Sequence, residues 1–304
     1  MIDLMPYSKG YCLQLSDGSN WWITGDEENK ERVDKFASIM RLQACPTNNA
    51  PKIILSKPLQ SDTPTDCNGY NPYKINSLGD DTNWSVYDSK LVRIWYHNII
   101  PDVICEVIEN SDYWIEYVVL WNLLLPIYWR STLMKGIPFH AGLAEYKGNG
   151  VLFAASGGTG KSTCCRRLPN HWKPLCDDEV LIVLDKNNVY KAHPFPTWSD
   201  YIFKRAENTW NVQYSVPLSA IFLIEQSPHD EVIPLSAPKV GMLITESSVQ
   251  VWNRFLTHMK TELQIKIVQD IFNNAFSIAR SIPTFRLCVS LTGRFWEKIE
   301  ELMK

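Results

Sequence analysis

The chain reads as an α+β to α/β protein: a phosphate-loop domain built on a mixed sheet, preceded by a small α+β domain. Three observations predict it. An apolar strand at Gly150–Ala155 runs into the glycine turn Gly157–Gly160 and then a helix starting at Ser162, the strand–loop–helix order that a phosphate-binding loop requires. The acidic stretch Asp177-Asp178-Glu179 opens a second apolar strand, Val180–Leu184, which turns at Asp185-Lys186-Asn187-Asn188 and returns through Val189–Ala192. A hairpin so close to a phosphate loop calls for a mixed sheet rather than a purely parallel one. The third observation is the contrast with residues 1–110, where strand patterns and one helix carry no catalytic cluster. The domains expected are therefore 1–110, for binding or regulation, and 111–304, for chemistry.

Within the first domain, Tyr11–Leu15 and Trp21–Thr24 flank an Asp17-Gly18 turn, and Val33, Phe36, Ala37, Met40 and Leu42 recur at helical spacing. From Thr47 to Ser89 the chain is dense in Asn, Asp, Pro, Ser and Thr, so loops around a short strand, Lys52–Leu55, are expected. Leu91–Ile100 and Val103–Ile108 read as strands, followed by one apolar helix at about 113–134. Tyr117–Trp129 is apolar but short. It holds Asn122 and Pro126 between Glu116 and Arg130, whereas a membrane span needs roughly 20 apolar residues. A buried helix is expected. In the second domain Pro138–Ala141, Ala220–Glu225 and Arg286–Leu291 read as strands, and Arg294–Met303 as an amphipathic helix.

Composition bounds the function. Of 304 residues, 45% are apolar and 21% charged, the make-up of a packed protein. A net charge of −3 offers nucleic acid or an anionic membrane no global attraction. The twelve tryptophans lack the basic interleaving that stacking on nucleic acid needs. The eight cysteines (12, 45, 67, 105, 164, 165, 176 and 288) include no Cys-x-x-Cys pair, and Met1–Ser16 lacks the apolar core of a leader. Reduced, buried thiols in a cytoplasmic protein are the expectation, not a disulfide frame or a zinc site.

The chemistry concentrates in Ala155-Ser156-Gly157-Gly158-Thr159-Gly160-Lys161-Ser162, which fits G-x-x-x-x-G-K-[ST] at every fixed position except Ala155. Gly157, Gly158 and Gly160 let successive amides turn toward an anion, and the helix start beyond them favours negative charge. Ser156 and Thr159 complete the loop. Lys161 places its ammonium on the phosphates, Ser162 offers a hydroxyl to Mg2+, and Thr163 extends the helix start. Asp177 and Asp178 can divide two tasks, since adjacent side chains on a strand diverge: one carboxylate on the metal, one as base for an attacking hydroxyl. His140, in the short strand ahead of the loop, is a third candidate. Arg205, Arg280 and Arg294 are candidate clamps for a transferred phosphate.

A histidine before a small residue, a phosphate loop and an aspartate pair, in this order, resemble the HPr serine kinase family, which reads His-Gly, Gly-x-Ser-Gly-x-Gly-Lys-Ser and Ala-Asp-Asp. Here the matching residues are His140-Ala141, Ala155 to Ser162, with Gly157 in place of serine, and Cys176-Asp177-Asp178. The resemblance implies the mixed-sheet phosphate-loop fold that HPr kinases share with phosphoenolpyruvate carboxykinases. It also implies ATP and Mg2+ as cofactors, with Lys161 on the phosphates, Ser162 and Asp178 on the metal, and Asp177 as base assisted by His140. The stretches Pro194–Ser199 and Leu291–Glu297 are similar to HPr-kinase-like proteins of peptide-modification clusters, the SynChlorMet cassette branch among them. The implied substrate is then a ribosomally made precursor peptide or small protein, gripped by the first domain, with no role for nucleic acid or membrane. Homo-oligomeric assembly, as in HPr kinases, is part of the same implication. Competing expectations are a small-molecule kinase and a nucleotide-gated peptide-binding module.

Overall fold

The structure, a computed structural model, describes residues 9–58, 84–108, 113–155, 159–203 and 209–303. Two compact units divide the chain: 1–14, 19–129 and 255–260 in the first, 15–18, 130–254 and 261–304 in the second.

The first unit holds β1 (Gly10–Gln14), β2 (Asn20–Gly25), α1 (Lys30–Ile39), β3 (Gln43–Cys45), β4 (Lys52–Ser56), β5 (Trp84–Asp88), β6 (Val92–His97), β7 (Val103–Val107) and α2 (Tyr113–Asn122). The strands form one mixed sheet, ordered β3-β1-β2-β4-β7-β6-β5. β2, β4 and β7 run parallel at its centre, and the remaining pairs are antiparallel. The central strands carry uninterrupted buried runs, the signature of strands covered on both faces. Tyr87 donates to Asn122 at 3.0 Å, which satisfies a polar group at the end of α2. Cys12 and Cys45 form a disulfide between β1 and the edge strand β3, so the expectation of reduced cysteines throughout fails for this pair. Neighbouring strands bring the two thiols together although the sequence spaces them without a motif. Cys105, Cys164, Cys165, Cys176 and Cys288 are free and buried as expected; Cys67 lies outside the described residues.

The apolar stretch after β7 is two helices, not one. α2 ends at Asn122 and α3 (Leu125–Leu133) follows across a two-residue turn. Pro126 has no N–H to donate to the preceding turn, and a first helical turn is where proline is tolerated. Among the described residues no helix is long and apolar enough to cross a membrane.

The second unit continues with β8 (Ile137–Tyr146), β9 (Asn149–Ala154), α4 (Lys161–Arg167), β10 (Lys173–Cys176), β11 (Glu179–Leu184), β12 (Tyr190–Phe195), α5 (Trp198–Ile202), β13 (Val216–Gln226), β14 (Glu231–Pro234), α6 (Ala237–Leu256), α7 (Thr261–Ser281), β15 (Thr284–Val289) and α8 (Phe295–Leu302). Its sheet is mixed, as the Asp185–Asn188 hairpin predicts: β9, β13 and β15 are mutually parallel, and β8, β11 and β12 antiparallel. The pairings β8–β9, β9–β13, β13–β12, β12–β11 and β11–β8 close a ring. On one face Val151, Phe153, Phe222, Leu287, Cys164, Cys165, Phe295 and Ile299 form a buried cluster that seats α4 and α8. Burying each such large side chain contributes roughly 1.5–3 kcal/mol, which fixes α4 on the sheet. The expected strand Arg286–Leu291 stops at Val289, because the Asp230 carboxylate takes the Ser290 N–H at 2.6 Å and turns the chain outward.

Candidate functional site

β8 changes partners in mid-strand, and that change builds the site. Residues 137–140 pair with β11, His140 opposite Glu179, while Ala141 onward pairs with β9, Ala141 opposite Ala154. His140 therefore stands between the end of β9, where the phosphate-loop sequence begins, and the start of β11, where the aspartate pair ends. Segments well apart in sequence meet there because one strand serves two neighbours.

The Lys161 side chain, at the head of α4, reaches the same point. Its ammonium lies 2.7 Å from His140 Nε2 and donates to the Ala155 carbonyl at 3.0 Å. A lysine ammonium only donates, so Nε2 accepts and the ring proton is on Nδ1. That nitrogen faces Asp178 Oδ1 at 3.2 Å. The result is a chain from ammonium to imidazole to carboxylate. Burial lowers the Lys161 pKa, and the charges of Asp178 and Asp177 oppose that shift. Gly160 precedes the helix at φ +109°, a backbone state that side chains resist. This accounts for glycine at that position of the motif.

Asp177 points elsewhere. Its Oδ1 accepts from the Thr197 hydroxyl at 2.8 Å. The histidine's carboxylate partner is thus Asp178, whereas the family resemblance pairs the histidine with the base, expected at Asp177. Asp177 also lines a cavity of about 180 Å3 with Arg166, Leu175 and Trp210. Ser162 and Thr163 follow Lys161 in α4, and Thr159 and Gly160 lead into it. Ser156, Gly157 and Gly158 lie outside the described residues, as does Arg205. Arg294 pairs with Glu297 at 2.9 Å, and Arg280 is exposed in the last turn of α7.

Three supporting side chains escape sequence reasoning. Ser247 of α6 donates to the His140 carbonyl at 3.2 Å. Arg254 grips Glu179 with both terminal nitrogens, at 2.7 and 2.8 Å, and both side chains are almost fully buried. Thr197 holds Asp177, and its only sequence signal is its place in the Pro194–Ser199 stretch. The other two have none, since α6 meets the site only through the tertiary fold.

As to metal, no cluster of three or more His, Cys, Asp or Glu side chains poised for an ion occurs among the described residues. Mg2+ does not need one: it prefers oxygen donors and is commonly held by one or two carboxylates beside substrate phosphates and water. A serine hydroxyl and the Asp178 carboxylate fit that donor set.

Two mixed sheets carrying helices, with a lysine–imidazole–carboxylate network at the end of a parallel strand in the second unit, define an α+β protein. The chain matches the profile of the SynChlorMet cassette protein ScmC over residues 103–304 and belongs to that family. A search of curated proteins finds no match.

Proposed function

We propose that the protein is an ATP- and Mg2+-dependent phosphotransferase of HPr-kinase-like type, acting on a serine or threonine hydroxyl of a ribosomally made precursor peptide. The observation that supports this most is the convergence of Lys161, His140 and Asp178 at 2.7 and 3.2 Å, from three separate elements, beside a G-K-S sequence. A chance glycine turn has no reason to sit against an imidazole and a carboxylate.

In this reading the Lys161 ammonium leaves His140 for the β and γ phosphates, and the phosphate charge offsets the cost of its burial. Ser162 and Asp178 would hold Mg2+, which supplies charge neutralisation for the phosphate oxygens. Asp177, kept in place by Thr197 and open to the adjacent cavity, takes the proton of the acceptor hydroxyl. The oxygen–phosphorus bond to the acceptor forms as the bond from the γ phosphorus to the β phosphate oxygen breaks, and ADP leaves. His140 orients Asp178 and holds Lys161 between turnovers. The peptide substrate rests on the motif resemblance and on membership of a cassette family, and the first unit is the proposed grip for the peptide.

The test is mass spectrometry of precursor peptide incubated with the full chain, ATP and magnesium. One added phosphoryl group is expected, lost in Asp177→Asn with nucleotide binding retained, and lost together with nucleotide binding in Lys161→Ala. Transfer to a free metabolite alone would replace the peptide by a small molecule. Nucleotide-dependent peptide binding without transfer would make the protein a binding module. Absence of nucleotide binding would end the reading.

A further inference from the structure

Leu291 is 88% exposed, the most exposed large apolar side chain among the described residues. A leucine on a slack loop would call for no explanation. This one is held out on a turn tied down from several sides. The Ser290 N–H donates to Asp230 at 2.6 Å, the Gly293 N–H donates to the Ser290 hydroxyl at 2.9 Å, and Arg167 of α4 donates to the Ser290 carbonyl at 2.8 Å and also to the Gly293 carbonyl. Position 293 has room only for glycine, because a Cβ would collide with the Asp230 carboxylate. A half-buried carboxylate and a guanidinium thus fix the turn that presents one apolar side chain to solvent.

What Leu291 borders is a cavity of about 560 Å3, within the size range of small-molecule sites. It opens at the C-terminal ends of the parallel strands β13 and β15, where open α/β sheets place their ligands. Its walls are of two kinds. Thr159, Gly160 and Thr163 belong to the phosphate-loop sequence itself. The same cavity is lined by Pro228 and Leu291, apolar and exposed, and by Gln226, whose amide donates to the Thr159 carbonyl at 3.3 Å. The cavity of about 290 Å3 on the α6 side shares none of Thr159, Gly160 and Thr163, and its Arg286 is committed to Glu225 at 3.3 Å.

We propose that the cavity under Leu291 is the nucleoside subsite: the flat face of a purine base lies against Leu291 and Pro228, and the Gln226 amide meets its polar edge while the phosphates pass over Gly160. The inference rests on the nucleotide reading above and adds what selects a nucleotide over bare polyphosphate. An apolar patch contiguous with the phosphate loop gains its burial only when a base covers it, and a pre-fixed turn loses little freedom on doing so.

The experiment compares ATP with inorganic tripolyphosphate, both with magnesium, binding to the full chain and to Leu291→Ala by calorimetry. Leu291 touches no core, so the variant is expected to keep the thermal midpoint of the parent. ATP should bind about tenfold more weakly to the variant, the scale set by the apolar surface removed, while tripolyphosphate binding stays unchanged. Equal ATP affinity in both proteins would overturn the subsite and leave the phosphate cradle standing. Equal weakening of both ligands would overturn it too, by tracing the effect of Leu291 to the phosphate loop. Failure of the parent chain to bind either ligand would remove the nucleotide reading and this inference with it.

Discussion

At the scale of single residues, what the sequence made legible is what local chemistry dictates. Gly160 could be read from motif spacing because its backbone state disfavours side chains, and Lys161, His140 and Asp178, each singled out by its sequence context, lie together in the fold. The supporting side chains were not legible, because Thr197 reaches Asp177, Ser247 the His140 carbonyl and Arg254 Glu179 across tertiary distances that leave no local pattern. Arg254 carries a prediction. Its two-pronged grip on Glu179 fixes the first residue of β11, directly after Asp178 and directly across from His140. Side-chain exposures of 7% for Glu179 and 12% for Arg254 leave little water to replace a lost partner. Arg254→Leu should therefore cost roughly 3–5 kcal/mol, since it takes the guanidinium away from a buried carboxylate. Glu179→Gln combined with it should recover much of that loss, because the buried charge is gone. Urea unfolding of the single and double variants measures both. A single-variant cost within the range of a surface pair, about 0–1 kcal/mol, would show that solvent reaches the carboxylate after all.

At the scale of elements, the hairpin, the strand ahead of the phosphate-loop sequence and the mixed character of the second sheet follow from alternation, turns and apolar runs. Lengths and breaks do not. His140 was placed on a short strand, yet β8 spans ten residues and serves two partners, a property of the sheet rather than of the strand. The long helices α6 and α7 are missing from the expectations altogether, although α6 supplies two of the groups around the site. How α4 docks on β8 can be tested at Gly142. A Cβ there would lie 2.7 Å from the Cys165 sulfur of α4 and 3.4 Å from the Asp177 Cα. Gly142→Ala must push the helix that begins with Lys161 away from the strand that carries His140, at a cost of about 1–3 kcal/mol. Nucleotide binding should weaken along with the fall in melting temperature. Cys165→Ala in the same chain removes the obstructing sulfur and should restore binding more than stability, because it leaves a small void of its own. If the double variant binds no better than Gly142→Ala, the helix–strand spacing does not govern the site.

At the scale of the whole molecule, a division near residue 110 is expected from the sequence, whereas the two compact units divide near residue 130 and exchange segments, residues 15–18 counting with the second and 255–260 with the first. A contact from the 15–18 turn to a buried histidine is expected to make the second unit's stability depend on pH. His193 of β12 is fully buried; its Nδ1–H donates to the Val212 carbonyl at 2.8 Å, and its Nε2 accepts the Ser16 N–H at 3.2 Å. Both ring nitrogens are committed in the neutral form, and protonation would set N–H against N–H. Burial holds the pKa down to about 4 from the ordinary 6.5, with Lys191 acting in the same direction and the Val212 bond and Asp17 against it. Above pH 6.5 the ring is neutral whether the chain is folded or not, so stability is full. Between 6.5 and about 4 the unfolded chain takes up a proton that the fold refuses, and stability falls as the pH falls. Below about 4 both states are protonated and this contribution stops changing. The loss across that window is on the order of 3 kcal/mol. Urea midpoints at neutral pH and through the window should show the decline. His193→Gln, which can still donate and accept but cannot titrate, should flatten it, and an unchanged slope in that variant would assign the pH dependence to other groups.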